Sequence, residues 1–84
     1  MKFEYKTRGV CSQKILFEVE NRRVKNVEII GGCNGNSQGV AALVEGMDID
    51  EVIHRIRGIR CGYKNTSCPD QLALALMEAK GKLD

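Results

Sequence analysis

Lys14-Ile15-Leu16-Phe17-Glu18-Val19-Glu20-Asn21-Arg22-Arg23-Val24-Lys25-Asn26-Val27-Glu28-Ile29-Ile30 is the stretch that decides the fold. In its first half Ile15, Phe17 and Val19 alternate with Lys14, Leu16, Glu18 and Glu20, the period of a strand buried on one face. In its second half, from about Val24 to Ile30, Val27 and Ile29 face inward and Asn26 and Glu28 outward; Ile30 fits less cleanly. Asn21-Arg22-Arg23 is a short turn signal between the two runs, so they form a β-hairpin. Upstream, Phe3, Tyr5 and Thr7 alternate with Lys2, Glu4, Lys6 and Arg8, and residues 9–13 connect this run to the hairpin. The expected sheet is a three-stranded antiparallel meander.

Beyond Ile30 the period changes. Gly31-Gly32-Cys33-Asn34-Gly35-Asn36 reads as a loop, with Ser37 as the N-cap of a helix. Its apolar stripe is Val40, Leu43, Val44 and Met47, and Gly46 marks its end. A second helix opens with the capping box Asp48-Ile49-Asp50-Glu51, buries Ile49, Val52, Ile53 and Ile56, and stops at Gly58. A third starts at Pro69, where a first-turn proline is tolerated, and buries Leu72, Ala75, Leu76 and Ala79. Gly81 closes it, and the last three residues are expected to fray. The fold class is α+β: three strands, then three helices packed on one face of the sheet.

Length and composition bound what such a domain can do. Eighty-four residues, 43% apolar and 29% charged, make one globular domain spanning 1–84. A chain of this size buries about 60–65% of its unfolded surface, too little for a barrel around a deep cavity. With no Trp and only Phe3, Tyr5, Phe17 and Tyr63 as aromatics, the four cysteines are the compositional outlier. A formal charge of +2 points to neither a nucleic-acid nor a membrane partner. No stretch has signal-peptide or membrane-span character, so the expected location is the cytoplasm. In a reducing compartment, cysteines point to metal or redox chemistry before structural disulfides.

Tracing the chain places those cysteines. If consecutive elements run antiparallel through short connections, Cys11, Cys33, Cys61 and Cys68 all fall at one end of the domain, each in a loop or at a helix start. Four thiolates are soft ligands that complete a tetrahedral site for zinc or iron. Gly9, Gly32 and Gly62 let the neighbouring backbone bend, and a helix N-terminus favours the thiolate of Cys68. Against this, buried cysteine also serves as a small hydrophobe, but these four sit among Gly, Asn, Ser, Thr and Lys and not within apolar stripes. The tightest spacing, Cys61-x6-Cys68, is not the common C-x-x-C pairing. A redox pair, Cys61 with Cys68 or Cys33 with Cys68, is the second reading.

Other constellations carry less. The Gly31–Ser37 segment has the general character of an anion-binding loop but matches no phosphate fingerprint, so a plain turn is expected. His54, four residues from Asp50, reads as a solvent-exposed side chain in a weak pair. Arg55, Arg57, Arg60 and Lys64 form a basic stretch that reads as a solvated face. No Ser-His-Asp set and no paired-carboxylate site is present.

Thr66-Ser67-Cys68-Pro69-Asp70 resembles the motif that names the TSCPD domain family. The likeness extends over Thr7-Arg8-Gly9-Val10-Cys11-Ser12, Gly31-Gly32-Cys33-Asn34-Gly35-Asn36 and Gly58-Ile59-Arg60-Cys61-Gly62, with Val10 where the family usually has Thr. The resemblance implies that the four cysteines occupy motif positions. It also implies an association with ribonucleoside-diphosphate reductase and deoxyribonucleotide synthesis, since the family includes a C-terminal domain of adenosylcobalamin-dependent ribonucleotide reductases. Eighty-four residues cannot enclose a radical cofactor and a substrate barrel. The expected role is therefore accessory: a metal-stabilised module docking a reductase or other protein partner, or a thiol relay through Cys61 and Cys68. In element order and cysteine placement the chain is also similar to the U-type iron–sulfur scaffold proteins, which implies an iron–sulfur cluster as an alternative cofactor.

Overall fold

The computed structural model describes residues 1–9, 12–31, 34–60 and 66–83. Three strands, β1 (Lys2–Lys6), β2 (Ser12–Glu20) and β3 (Arg23–Gly31), precede three helices, α1 (Asn34–Val44), α2 (Ile49–Ile56) and α3 (Cys68–Leu83). The sheet is an antiparallel meander in the order β1-β2-β3, as the alternation predicts. Glu20 pairs with Arg23, so Asn21 and Arg22 alone make the hairpin turn. Both have positive φ, at 52° and 63°. That is the primed turn whose twist matches the strands.

The inward face of the meander buries Ile15, Phe17, Val19 and Val24. Val24 and Val27 lie three residues apart, which a regular strand would send to opposite faces. A β-bulge resolves the conflict: Leu16 pairs with Glu28 but Glu18 with Lys25, so Phe17 faces one residue too many. Asn26 absorbs the extra residue with φ 53°, which lets Val27 and Ile29 rejoin the core side.

The helices close over this face. Asp48 caps α2 by accepting the Asp50 and Glu51 amides at 3.0 and 3.2 Å. Ile49 and Val52 are fully buried and Ile53 nearly so, with Ile56 at the margin. On α3, Leu72, Ala75, Leu76 and Ala79 are buried as their spacing predicts. The loop between α1 and α2 also extends the sheet. The Val24 amide donates to Met47 and the Gly46 amide to Val24, at 2.9 and 2.7 Å, beside an Arg23–Asp48 bridge.

Four expectations are corrected. Helix α1 begins at Asn34, so Ser37 lies inside its first turn and is not its N-cap, and β3 continues through Gly31; Gly32 and Cys33 lie outside the described residues. Glycine and Asn are tolerated there because first-turn amides have no intrahelical acceptor in any case. Leu43 is 78% exposed, since α1 rests on β3 through Val40 and Val44 and turns Leu43 outward. It borders a shallow cavity of about 210 Å³ with Met47 and Ile56. Gly81 does not end α3, which continues to Leu83. Asp50 does not pair with His54: its carboxylate takes Lys80 at one oxygen and Arg22, 2.8 Å away, at the other.

The Lys80 and Arg22 hydrogen bonds hold the Asp50 carboxyl below its ordinary range. A lowered carboxylate pKa contributes stability that is present above the ordinary value and lost as pH falls through the folded one. Thermal melts of Asp50→Asn are expected to show a lower Tm than the parent at neutral pH, the gap closing in strong acid and shrinking with salt. In the core, Leu76→Ala is expected to cost about 2–5 kcal/mol, whereas Leu43→Ala stays within about 0.5 kcal/mol in urea melts. No described helix is long and apolar enough to cross a membrane.

Candidate metal centre

Helix α3 starts with a capping-box sequence, Ser67-Cys68-Pro69-Asp70, in which Ser67 caps the helix while the Asp70 carboxylate turns to other partners. The Ser67 hydroxyl accepts the Asp70 amide at 3.2 Å, and the Ser67 carbonyl accepts the first helical amide, from Gln71, at 2.8 Å. Cys68 and Pro69 therefore occupy the first turn, where proline's missing N–H has no acceptor to forfeit. The Cys68 residue is half-buried, held at the mouth of the helix by the neighbours on either side.

Those neighbours form a buried hydrogen-bond clasp. Asp70 accepts the Gly58 amide at 2.6 Å through Oδ1 and the Thr66 hydroxyl through Oδ2. Gly58 has φ 84°, the left-handed turn after α2 that aims its amide out of the helix and at Asp70. Ser67 Oγ donates to the Ile59 carbonyl at 2.6 Å. Thr66 Oγ1 in turn accepts from Gln71 Nε2 at 3.0 Å, and Gln71 Oε1 accepts the Arg8 amide at 3.0 Å. Ser67, Asp70 and Gln71 are each less than 10% exposed. No buried side-chain polar atom among the described residues lacks a partner.

The clasp draws the end of β1, the end of α2 and the start of α3 to one pole. Gly9, with φ 72°, approaches Thr66 so closely that an added Cβ would stand 3.3 Å from its methyl group. Ser12 pairs with Gly31 at the same end of the sheet. Gly9 lies two residues before Cys11, Ser12 one after it, Gly31 two before Cys33, and Ile59 two before Cys61. Cys11, Cys33 and Cys61 themselves lie outside the described residues. Among the described residues no three His, Cys, Asp or Glu side chains converge. His54 is exposed on α2, and Arg55 pairs with Glu51 at 2.7 Å. Arg57 and Arg60 are exposed; Lys64 lies outside the described residues.

The clasp went unread in the sequence, although a Ser-x-x-Asp capping box spelled half of it. A family model, the TSCPD domain, matches residues 2–80. The chain belongs to the TSCPD domain family. No curated protein and no solved structure matches it. In this TSCPD domain the five name-giving residues divide by task. Thr66, Ser67 and Asp70 hold the pole together, Pro69 fits the first turn, and Cys68 brings a thiol, the motif's only soft ligand.

Removing the Asp70 carboxylate strands the Gly58 amide and the Thr66 hydroxyl. Asp70→Ala is expected to cost roughly 3 kcal/mol in urea unfolding. Asp70→Asn should cost less: its carbonyl still serves Gly58, but its amide meets a Thr66 hydroxyl already engaged by Gln71. Equal stability of parent and Asp70→Ala would refute the clasp.

Proposed function

We propose that Cys11, Cys33, Cys61 and Cys68 hold one zinc or iron ion, and that the domain serves as a metal-stabilised module docking onto a larger protein. The observation that supports this reading is the gathering of all four cysteine flanks, Gly9, Gly31, Ile59 and the first turn of α3, at one pole. Connections of one to a few residues then separate each thiol from a fixed anchor. Four thiolates suit the donor set of a closed structural site, with no position left open for a substrate. The ion would supply tetrahedral cross-linking of chain ends that the core does not reach. Structural zinc contributes roughly 10–16 kcal/mol of apparent binding energy in small peptides, large beside the stability of a domain this size.

The partner, in this reading, is a ribonucleotide reductase or a protein of deoxyribonucleotide synthesis, which rests on family membership alone. A thiol relay through Cys61 and Cys68 or an iron–sulfur cluster on the same ligands is the alternative for the pole. The metal reading is favoured because four thiols at one pole match the donor set of a closed tetrahedral site, whereas a relay uses only two of them.

Elemental analysis and the absorption spectrum of protein purified under reducing conditions test it. About one zinc or one colour-bearing iron per chain is expected, lost on Cys→Ser substitution at any of the four positions. Chelation is expected to lower the Tm sharply. Metal-free protein that stays folded with four titratable thiols would refute the site.

A further inference from the structure

Strand β1 lies at the edge of the sheet, and among the described residues nothing pairs with its outer side. Its hydrogen-bond phase is readable. The Val19 amide donates to the Met1 carbonyl at 2.9 Å and the Thr7 amide to the Gln13 carbonyl at 3.2 Å. Odd-numbered residues therefore bond inward to β2, and the amides and carbonyls of Lys2, Glu4 and Lys6 face outward. The next amide in this phase, Arg8, is consumed by Gln71 Oε1. The free edge is thus a short ladder, bounded at one end by the clasp.

From this edge we infer that the domain self-associates, β1 pairing antiparallel with β1 of a second copy to give a continuous six-stranded sheet. Charge complementarity selects the second copy as the occupant, and charge together with ladder length selects the register. Centred on Tyr5, the pairing sets Glu4 opposite the second copy's Lys6 and Lys6 opposite its Glu4. Both are bonded positions of the ladder, where opposite charges attract and like charges repel. Centred on Glu4, it would set Glu4 against Glu4 and Lys2 against Lys6; centred on Phe3, it would set Lys2 opposite Glu4 but leave Lys6 beyond the paired strand, whereas the Tyr5-centred register carries like charges only at its end pair, Lys2 and Arg8. The inward side chains Phe3 and Tyr5 are half-buried against the core, and Tyr5 would meet its own copy across the axis. An open groove of about 320 Å³, lined by Glu4, Tyr5, Lys6, Arg8 and Glu78, runs beside the edge. Lysines commonly blunt edge strands. Here the alternating sign makes the edge complementary to itself.

Sedimentation velocity from micromolar to millimolar protein, in reductant to exclude intermolecular disulfides, tests the pairing. A monomer–dimer equilibrium is expected. Glu4→Lys and Lys6→Glu should each weaken it by roughly tenfold, and the double variant should restore it, since the swap returns opposite charges to both positions. Lys2→Glu should not weaken it. All these positions are exposed, so circular dichroism should show unchanged folds. A monomer throughout, a Lys6→Glu dimer as tight as the parent, or a double variant no tighter than the single ones would overturn the inference.

Discussion

The carboxylate of Asp70 accepts hydrogen bonds and cannot donate them, and that one-sidedness orders the pole where β1 and α2 end and α3 begins. Because Asp70 only accepts, Thr66 must donate to it, which leaves the threonine lone pairs for the amide of Gln71. Gln71 is thereby oriented with its carbonyl oxygen outward, and that oxygen takes the amide of Arg8. One acceptor sets the direction of every bond in a chain running from α2 to β1. Bonds polarised in series in a poorly hydrated site strengthen one another. Three loops that would otherwise end independently are made to share a frame.

The other end of the domain is held by different means. There Asp50 bridges the β2–β3 turn to the last turns of α3 through Arg22 and Lys80, in side chains that are about half exposed. Such pairs are screened by salt and add modestly to stability. Between the two ends lies a thin core in which Ile15, Val24, Ile49, Val52, Leu72 and Leu76 are fully buried. A part-buried polar network thus holds one pole and solvated ion pairs hold the other.

Much of this was legible in local pattern. Alternation in 14–20 and the Asn21-Arg22 turn gave the hairpin, and the stripe of Ile49, Val52 and Ile53 behind Asp48 gave α2. Where reading failed, the deciding contact was distant or the signal was a break in a pattern. Arg8 and Gln71 lie sixty-three positions apart, so no local rule joins them. The shift from Val24 to Val27 reported a bulge by violating parity, and Asn26 was the residue that allowed it. Leu43 fell within the arc of a helical stripe, but β3 contacts only part of that arc. The convergence of the cysteine flanks followed from element order alone, because short antiparallel connections return the chain to the same end.

The segment between α1 and α2 has a last consequence. By bonding to Arg22, Val24 and Asn26 through Ile49, Met47, Gly46 and the Glu45 side chain, it occupies the outer edge of β3 over that stretch. Over those residues the backbone of β3 has its partners within the chain, whereas the outer amides of β1 do not have theirs among the described residues. A two-fold pairing at β1 would use up that edge in turn. The α1–α2 segment thus limits edge-to-edge stacking on the hairpin end of β3.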